Sequence, residues 1–254
     1  MLPRPPHRPR RMLFSQIKGE VMHIGVIGAT GNIGQRVVSE AVNRGHQVTA
    51  FSRDASGIQE DRPTVAWRSL DVFDAAALTG AVAGLDVLIS GYQPGSAARD
   101  LADAVRRSVA DPTVYATVAR NLLKALESHP RTRLIVIGGA GSLELAPGVV
   151  RADSDELLHE SLDALGLPRE YAAAVRGHRD ALNVLRTSNR LWTYFSPAGD
   201  IHPGERTGRF RIGGDQPVLD AQGRHRISIE DVAVALIDEV ELPRHVQRRF
   251  TVGY

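Results

Sequence analysis

From Met22 onward, short runs rich in aliphatic and β-branched residues alternate with longer segments whose apolar positions recur every three or four residues. A period of two marks a strand and a period near 3.6 marks a helix, so the pattern predicts strands near 22–27, 47–51, 64–68, 86–90, 133–137, 191–195 and 248–253. Helices are predicted between them, the best at 32–44, 74–83, 113–128, 169–188 and 229–240. Ser228 opens the last of these as an N-cap, with Asp231 three residues on. Regular alternation of strand and helix is the signature of a parallel sheet covered on both faces. The segment 200–226 breaks that alternation, carrying Pro203, Gly204, Gly208, Gly213, Gly214, Pro217 and Gly223, and reads as an irregular excursion or hairpin on the substrate side of a site.

The first 21 residues differ from the rest. They combine Pro3, Pro5, Pro6 and Pro9 with Arg4, Arg8, Arg10, Arg11 and Lys18, a mixture that buries no apolar surface and blocks an early helix. Residues 1–21 are therefore expected to be a disordered basic tail, and 22–254 one nucleotide-binding domain. Neither a secretory signal nor a transit peptide fits the tail, and its composition favours a true start at Met22.

Charge and composition narrow the function classes. The chain of 254 residues carries a net charge of +2, but without the tail 26 basic residues face 28 acidic ones. A mildly acidic body argues against a nucleic-acid surface and weakens a membrane-surface reading. No apolar run reaches the roughly 18 residues of a membrane helix. With no cysteine, thiolate metal sites, disulfides and cysteine nucleophiles are excluded. The histidines show no metal-ligand spacing, so no metal is expected. A cytoplasmic location fits these features.

The strongest chemical signal is Gly28-Ala29-Thr30-Gly31-Asn32-Ile33-Gly34, which follows the first strand and opens the first helix. Gly28 permits the sharp turn, Gly31 lets the backbone approach a pyrophosphate, and Gly34 allows close packing of helix on strand. The helix N-terminus offers free N–H groups and a positive dipole to the phosphates.

This turn, together with Gly138-Gly139-Ala140-Gly141-Ser142-Leu143-Glu144 after the fifth strand and Phe195-Ser196-Pro197-Ala198 after the sixth, resembles the atypical short-chain dehydrogenases of the NAD(P)H-binding group. These include flavin reductases related to biliverdin reductase B and, more distantly, NmrA-like cofactor sensors. The resemblance runs from Met22 to Tyr254. It implies an α/β fold, a Rossmann-like doubly wound parallel sheet with a small C-terminal substrate-side portion. It also implies a cofactor site made by Gly28, Thr30, Gly31, Asn32, Ile33 and Gly34, by Ser90 and Gly91 after the fourth strand, and by Pro197.

At the end of the second strand, an acid would favour NAD and a base would pair with the 2′-phosphate of NADP. Ser52 and Arg53 stand there, so NADPH is the expected cofactor, with NADH as the alternative because Asp54 follows directly. Asp71 and Val72, after the third strand, are expected to flank the adenine by resemblance, although Asp71 could instead cap the helix that follows.

Short-chain dehydrogenases usually supply a proton from a tyrosine with a lysine four residues later. No tyrosine here has one; Lys18 and Lys124 are the only lysines. An ordinary alcohol dehydrogenase or epimerase is disfavoured. A flavin or quinone takes hydride at a ring position and its proton from solvent, so its site needs mainly positioning. Ser142 is expected beside the nicotinamide, and Tyr171 and His178, seven apart on one helix, share a face that points either at the site, making them candidate catalytic residues, or at solvent. The sequence thus predicts an NAD(P)H-dependent reductase of a flavin, quinone or similar small acceptor; the alternative is a non-catalytic NADP(H)-binding regulator. No nucleic-acid or membrane partner is expected, and a homodimer is left open.

Overall fold

The computed structural model describes residues 20–98 and 100–254. The expected disordered tail lies outside the described residues, apart from Glu20 and Val21. The first half of the chain runs β1 (His23–Ile27), α1 (Asn32–Asn43), β2 (Gln47–Ser52), β3 (Val65–Ser69), α2 (Ala75–Val82), β4 (Val87–Ser90), α3 (Leu101–Val109), α4 (Val114–Ala125) and β5 (Arg133–Ile137). A short hairpin follows, β6 (Glu144–Ala146) and β7 (Val149–Val150), then α5 (Asp155–Ala164), α6 (Ala172–Arg186) and β8 (Trp192–Ser196). The chain closes with β9 (Asp200–His202), β10 (Arg211–Gly213), β11 (Arg226–Ser228), α7 (Ile229–Glu241) and β12 (Arg248–Gly253).

Eight strands form one sheet in the order β10-β12-β8-β5-β4-β1-β2-β3. Every neighbouring pair is parallel except β10 with β12. This is a Rossmann-like α/β fold. Because both faces of the sheet are covered, successive strand residues are buried in opposite directions. Ile24 and Val26 of β1 pack with Val37, Val38 and Ala41 of α1 and Val232, Leu236 and Val240 of α7. Ile27 faces the other layer, where Leu78 and Val82 of α2, Leu122 of α4, and Leu182 and Leu185 of α6 form a second core.

The seven strands expected from the sequence are all present, with ends shifted by at most a residue, and helix 169–188 begins with a 3-10 turn at Arg169–Tyr171. The irregular segment contributes β9, which pairs in parallel with β11, and the antiparallel edge strand β10. Ser228 caps α7 as expected, its hydroxyl accepting the Asp231 N–H at 3.1 Å. The helices α3 and α5 and the β6–β7 hairpin are additions to the expected elements. None of the helices is long and apolar enough to cross a membrane, among the described residues.

Strand order reverses between β1 and β4: the chain goes outward from β1 to β2 and β3, then returns to the opposite side. In such sheets the crevice outside the carboxyl ends at the reversal point is where ligands bind.

Candidate functional site

Two clefts of about 730 Å³ each open along that carboxyl edge and share Gly28, Thr30, Tyr92 and Gln93 as walls. The glycine turn sits between them. Gly28 has φ +77°, a left-handed conformation that disfavours a side chain, and a Cβ there would come within 2.7 Å of Gly91 O. A Cβ on Gly34 would overlap the Gly28 carbonyl itself. Gly31 is the N-cap of α1, and no side chain caps this helix. The unpaired first-turn N–H groups therefore face the cleft lined by Gly31, Asn32, Ile33 and Gly34. A cradle of bare backbone at a positive helix end suits a pyrophosphate.

One cleft continues from the turn toward Ser52, Arg53, Asp71 and Val72. β2 ends at Ser52, which leaves Arg53 as the next residue outward. Arg53 is exposed and makes no ion pair among the described residues. Asp54 is engaged locally: its Oδ1 accepts the Ser56 N–H at 2.9 Å and the Ser56 hydroxyl at 2.7 Å. Those bonds, the hydroxyl's first, hold its carboxyl below the usual range. Asp71 is exposed and accepts the Phe73 N–H at 2.9 Å, while Asp74 caps α2 through Ala76 and Ala77. Of the two roles open to Asp71, the helix cap is thus taken by another residue. Phe73 packs edge-on to Tyr92, ring centres 5.9 Å apart, closing the outer wall.

The other cleft runs from the glycine turn past Gly91, Gly138, Gly139, Pro197 and Ala198 toward α5 and α6. The glycines after β5 are required by close packing: a Cβ on Gly138 would overlap the Tyr194 ring, and one on Gly141 would collide with Val175 of α6. Tyr171, on the 3-10 turn that leads into α6, and His178, within α6, both line this cleft. Burial pushes the His178 imidazole down to about 4, so the ring is neutral near pH 7. It packs against Tyr115, ring centres 4.2 Å apart, and lies over Gly139. Burial raises the Tyr171 hydroxyl, so that it stays protonated.

Two expected site residues are placed elsewhere. Ser142 is buried and does not line either cleft. Its hydroxyl donates to Gly139 O at 3.0 Å and meets Ser196 Oγ at 3.1 Å, because the 3-10 turn Ala140–Ser142 rolls the side chain under the loop. Ser90 is likewise buried at the end of β4, and Gly91 forms the wall there. Tyr92, Gln93 and Arg151 line the clefts without having been expected. For Tyr92 and Gln93 a signal was available, since they directly follow a strand at its carboxyl end. No group of three or more potential metal ligands occurs among the described residues.

Residues 28–243 match the model of the NAD(P)H-binding family. The chain belongs to this family. It is 34% identical over 233 residues to YwnB, an uncharacterised protein of Bacillus subtilis, covering 91% of this chain and 98% of that one. A crystal structure of a "putative exported protein" from Burkholderia pseudomallei aligns with a TM-score of 0.75 at 38% identity, covering 92% of this chain and all of that one. A "putative NADH-flavin reductase" from Streptococcus pneumoniae aligns with a TM-score of 0.73 at 28% identity, over 91% of this chain and 99% of that one.

Proposed function

We propose that this protein is an NAD(P)H-dependent oxidoreductase that passes hydride to a flavin, quinone or similar small acceptor, with NADPH as the preferred cofactor. The observation that carries the reading is the site's lack of a conventional proton donor beside a well-formed dinucleotide cleft. His178 is held neutral by burial and Tyr171 is held protonated, with no lysine lining either cleft among the described residues to lower it. Such a site favours an acceptor that needs orientation more than acid catalysis.

In this reading the first-turn N–H groups of α1 hold the pyrophosphate, Ser52 and Arg53 hold the 2′-phosphate, and Asp71 and Val72 flank the adenine. The reduced nicotinamide supplies the hydride when bound. Gly91, Gly139 and Pro197 would support that ring, and Tyr171 and His178 would shape the acceptor side of the cleft. Ser142 acts from beneath, holding the Gly139 carbonyl and so the loop that supports the ring. The flavin-reductase description of the S. pneumoniae neighbour supports the same choice of acceptor.

The test is to incubate the purified protein with NADPH or NADH and a panel of flavins, quinones and small carbonyls, following the absorbance of the reduced nicotinamide. Oxidation with flavins or quinones and none with simple carbonyls is expected. Tight cofactor binding without consumption by any acceptor would overturn the reading in favour of a cofactor-sensing regulator.

A further inference from the structure

Among the described residues, most buried and half-buried arginines are visibly paired. Arg44 bonds Asp238 and Glu241 at 2.7 Å each and Glu40 at 2.8 Å, and Arg36 meets Glu230 at 2.7 Å. Arg133 donates to the Glu239 and Val240 carbonyls, and Arg249 to Asp215. Arg151 departs from this rule. It sits on the 3-10 turn Arg151–Asp153, between β7 and α5, and is one of the residues that line the cleft. Its Nε is buried without any hydrogen-bond partner, and the guanidinium makes no ion pair among the described residues. Glu160, the acid whose field it feels, is exposed. A desolvated cationic donor left without an acceptor is costly, and an anionic group entering the cleft would relieve that cost.

The surroundings define that ligand. Leu158 and Leu162 of α5, with Leu165 and Leu167 beyond it, line the same cleft as Arg151 and Tyr171. An apolar and aromatic wall containing one unpaired planar cation matches a flat ring system that bears an acid group. Guanidinium pairs with carboxylate and phosphate in the same two-pronged geometry. We propose that Arg151 receives an anionic substituent, carboxylate or phosphate, on the acceptor, so that the cleft takes acid-bearing ring compounds in preference to their neutral counterparts. This rests on the reading above that the cleft holds an acceptor beside the cofactor.

The test compares acceptors that differ only in the anion: riboflavin with flavin mononucleotide for phosphate, and anthraquinone with its 2-carboxylate for carboxylate. Equilibrium binding to the protein saturated with NADP⁺, followed by flavin fluorescence or calorimetry, gives a readout independent of turnover. At least one anionic member is expected to bind roughly tenfold to a hundredfold more tightly than its neutral partner, the range for a charged hydrogen bond. Which pair shows the preference identifies the anion. Arg151→Gln should erase the preference and Arg151→Lys should restore part of it, with NADPH affinity and melting temperature followed alongside. Should Arg151→Gln fail to fold, the wild-type preference and its reduction in Arg151→Lys still decide the matter. Equal binding within both pairs would overturn the proposal. So would a loss of NADPH affinity in Arg151→Gln as large as the loss for the anionic acceptor, since that would place the guanidinium on the cofactor. A clear anionic preference without reduction of any acceptor would support Arg151's role while refuting the reductase reading.

Discussion

Arg53 and His178 show how a single residue sets what the clefts can accept. Arg53 and Asp54 both line the cleft beyond β2, but the Asp54 carboxylate is engaged by Ser56, which leaves the Arg53 guanidinium as the cation there without an ion pair among the described residues. Arg53→Glu should weaken NADPH far more than NADH by removing a charged hydrogen bond worth ~1.5–3 kcal/mol and adding repulsion. Equal losses for both cofactors, measured by titration, would show that Arg53 does not read the 2′-phosphate. His178 is neutral in the fold, with its pKa lowered to about 4, whereas an unfolded histidine titrates near 6.5. Between those values the unfolded chain binds more protons than the folded one, so stability falls as the pH drops from about 6.5 to about 4. The loss amounts to about 2–3 kcal/mol. His178→Gln should flatten this part of the curve of melting temperature against pH; an unchanged slope would assign it to other groups. For turnover, Tyr171→Phe and His178→Ala should each cost less than about tenfold, since a true general acid supplies on the order of 10² to 10⁴. A thousandfold loss with cofactor binding intact would point to a carbonyl reductase with an unusual proton donor.

At the level of elements, what the sequence made legible was whatever depends on local periodicity. The apolar strands and the helices that alternate with them could be read, as could the glycine turn, because each carries its own pattern. Helix α5 escaped because Asp155, Glu156, His159, Glu160 and Asp163 dominate its ten residues and only Leu158 and Leu162 are buried. Edge strand β10 escaped because three residues beside Gly213 and Gly214 give no alternation to count. Ser142 was legible as a loop residue beside the site, but its direction depends on how a 3-10 turn rolls against Ser196, fifty-four positions away. The unpaired state of Arg151 was illegible for the same reason, since partners are a property of the folded surroundings. The segment 203–210, which looks structureless in sequence, is tied to α7 by a buried acid: Asp231 accepts the Gly208 N–H at 2.7 Å, the Thr207 hydroxyl at 2.5 Å and the Tyr254 hydroxyl at 3.0 Å. Asp231→Ala would remove the charged acceptor those donors share and should cost about 1.5–3 kcal/mol, the range for a hydrogen bond to a charged group. A denaturation midpoint unchanged from wild type would show that this tie contributes nothing.

For the whole molecule, the two clefts lie where the two halves of the sheet diverge, with walls drawn from β1, β2 and the loop after β4 on one side and from β5, α6 and the loop after β8 on the other. A ligand bound there contacts both halves, so its binding energy should oppose global unfolding and not merely the fraying of one edge. At a hundred times its dissociation constant a ligand specific for the folded state adds about 2.7 kcal/mol. For a chain of this size each kcal/mol raises the melting temperature by about 2–4 °C, so saturating NADPH should raise it by roughly 5–10 °C. The tail should not share in this. Among the described residues Met22 is the first packed against the core, and its N–H donates to His46 Nδ1 at 3.3 Å. The Pro- and Arg-rich composition ahead of it offers no apolar periodicity with which to dock. A chain beginning at Met22 should therefore keep both the melting temperature of the full protein and the full increment on adding NADPH. A drop of several degrees on truncation, or an increment that shrinks with the tail's removal, would mean that residues 1–21 pack on the domain or reach the cofactor.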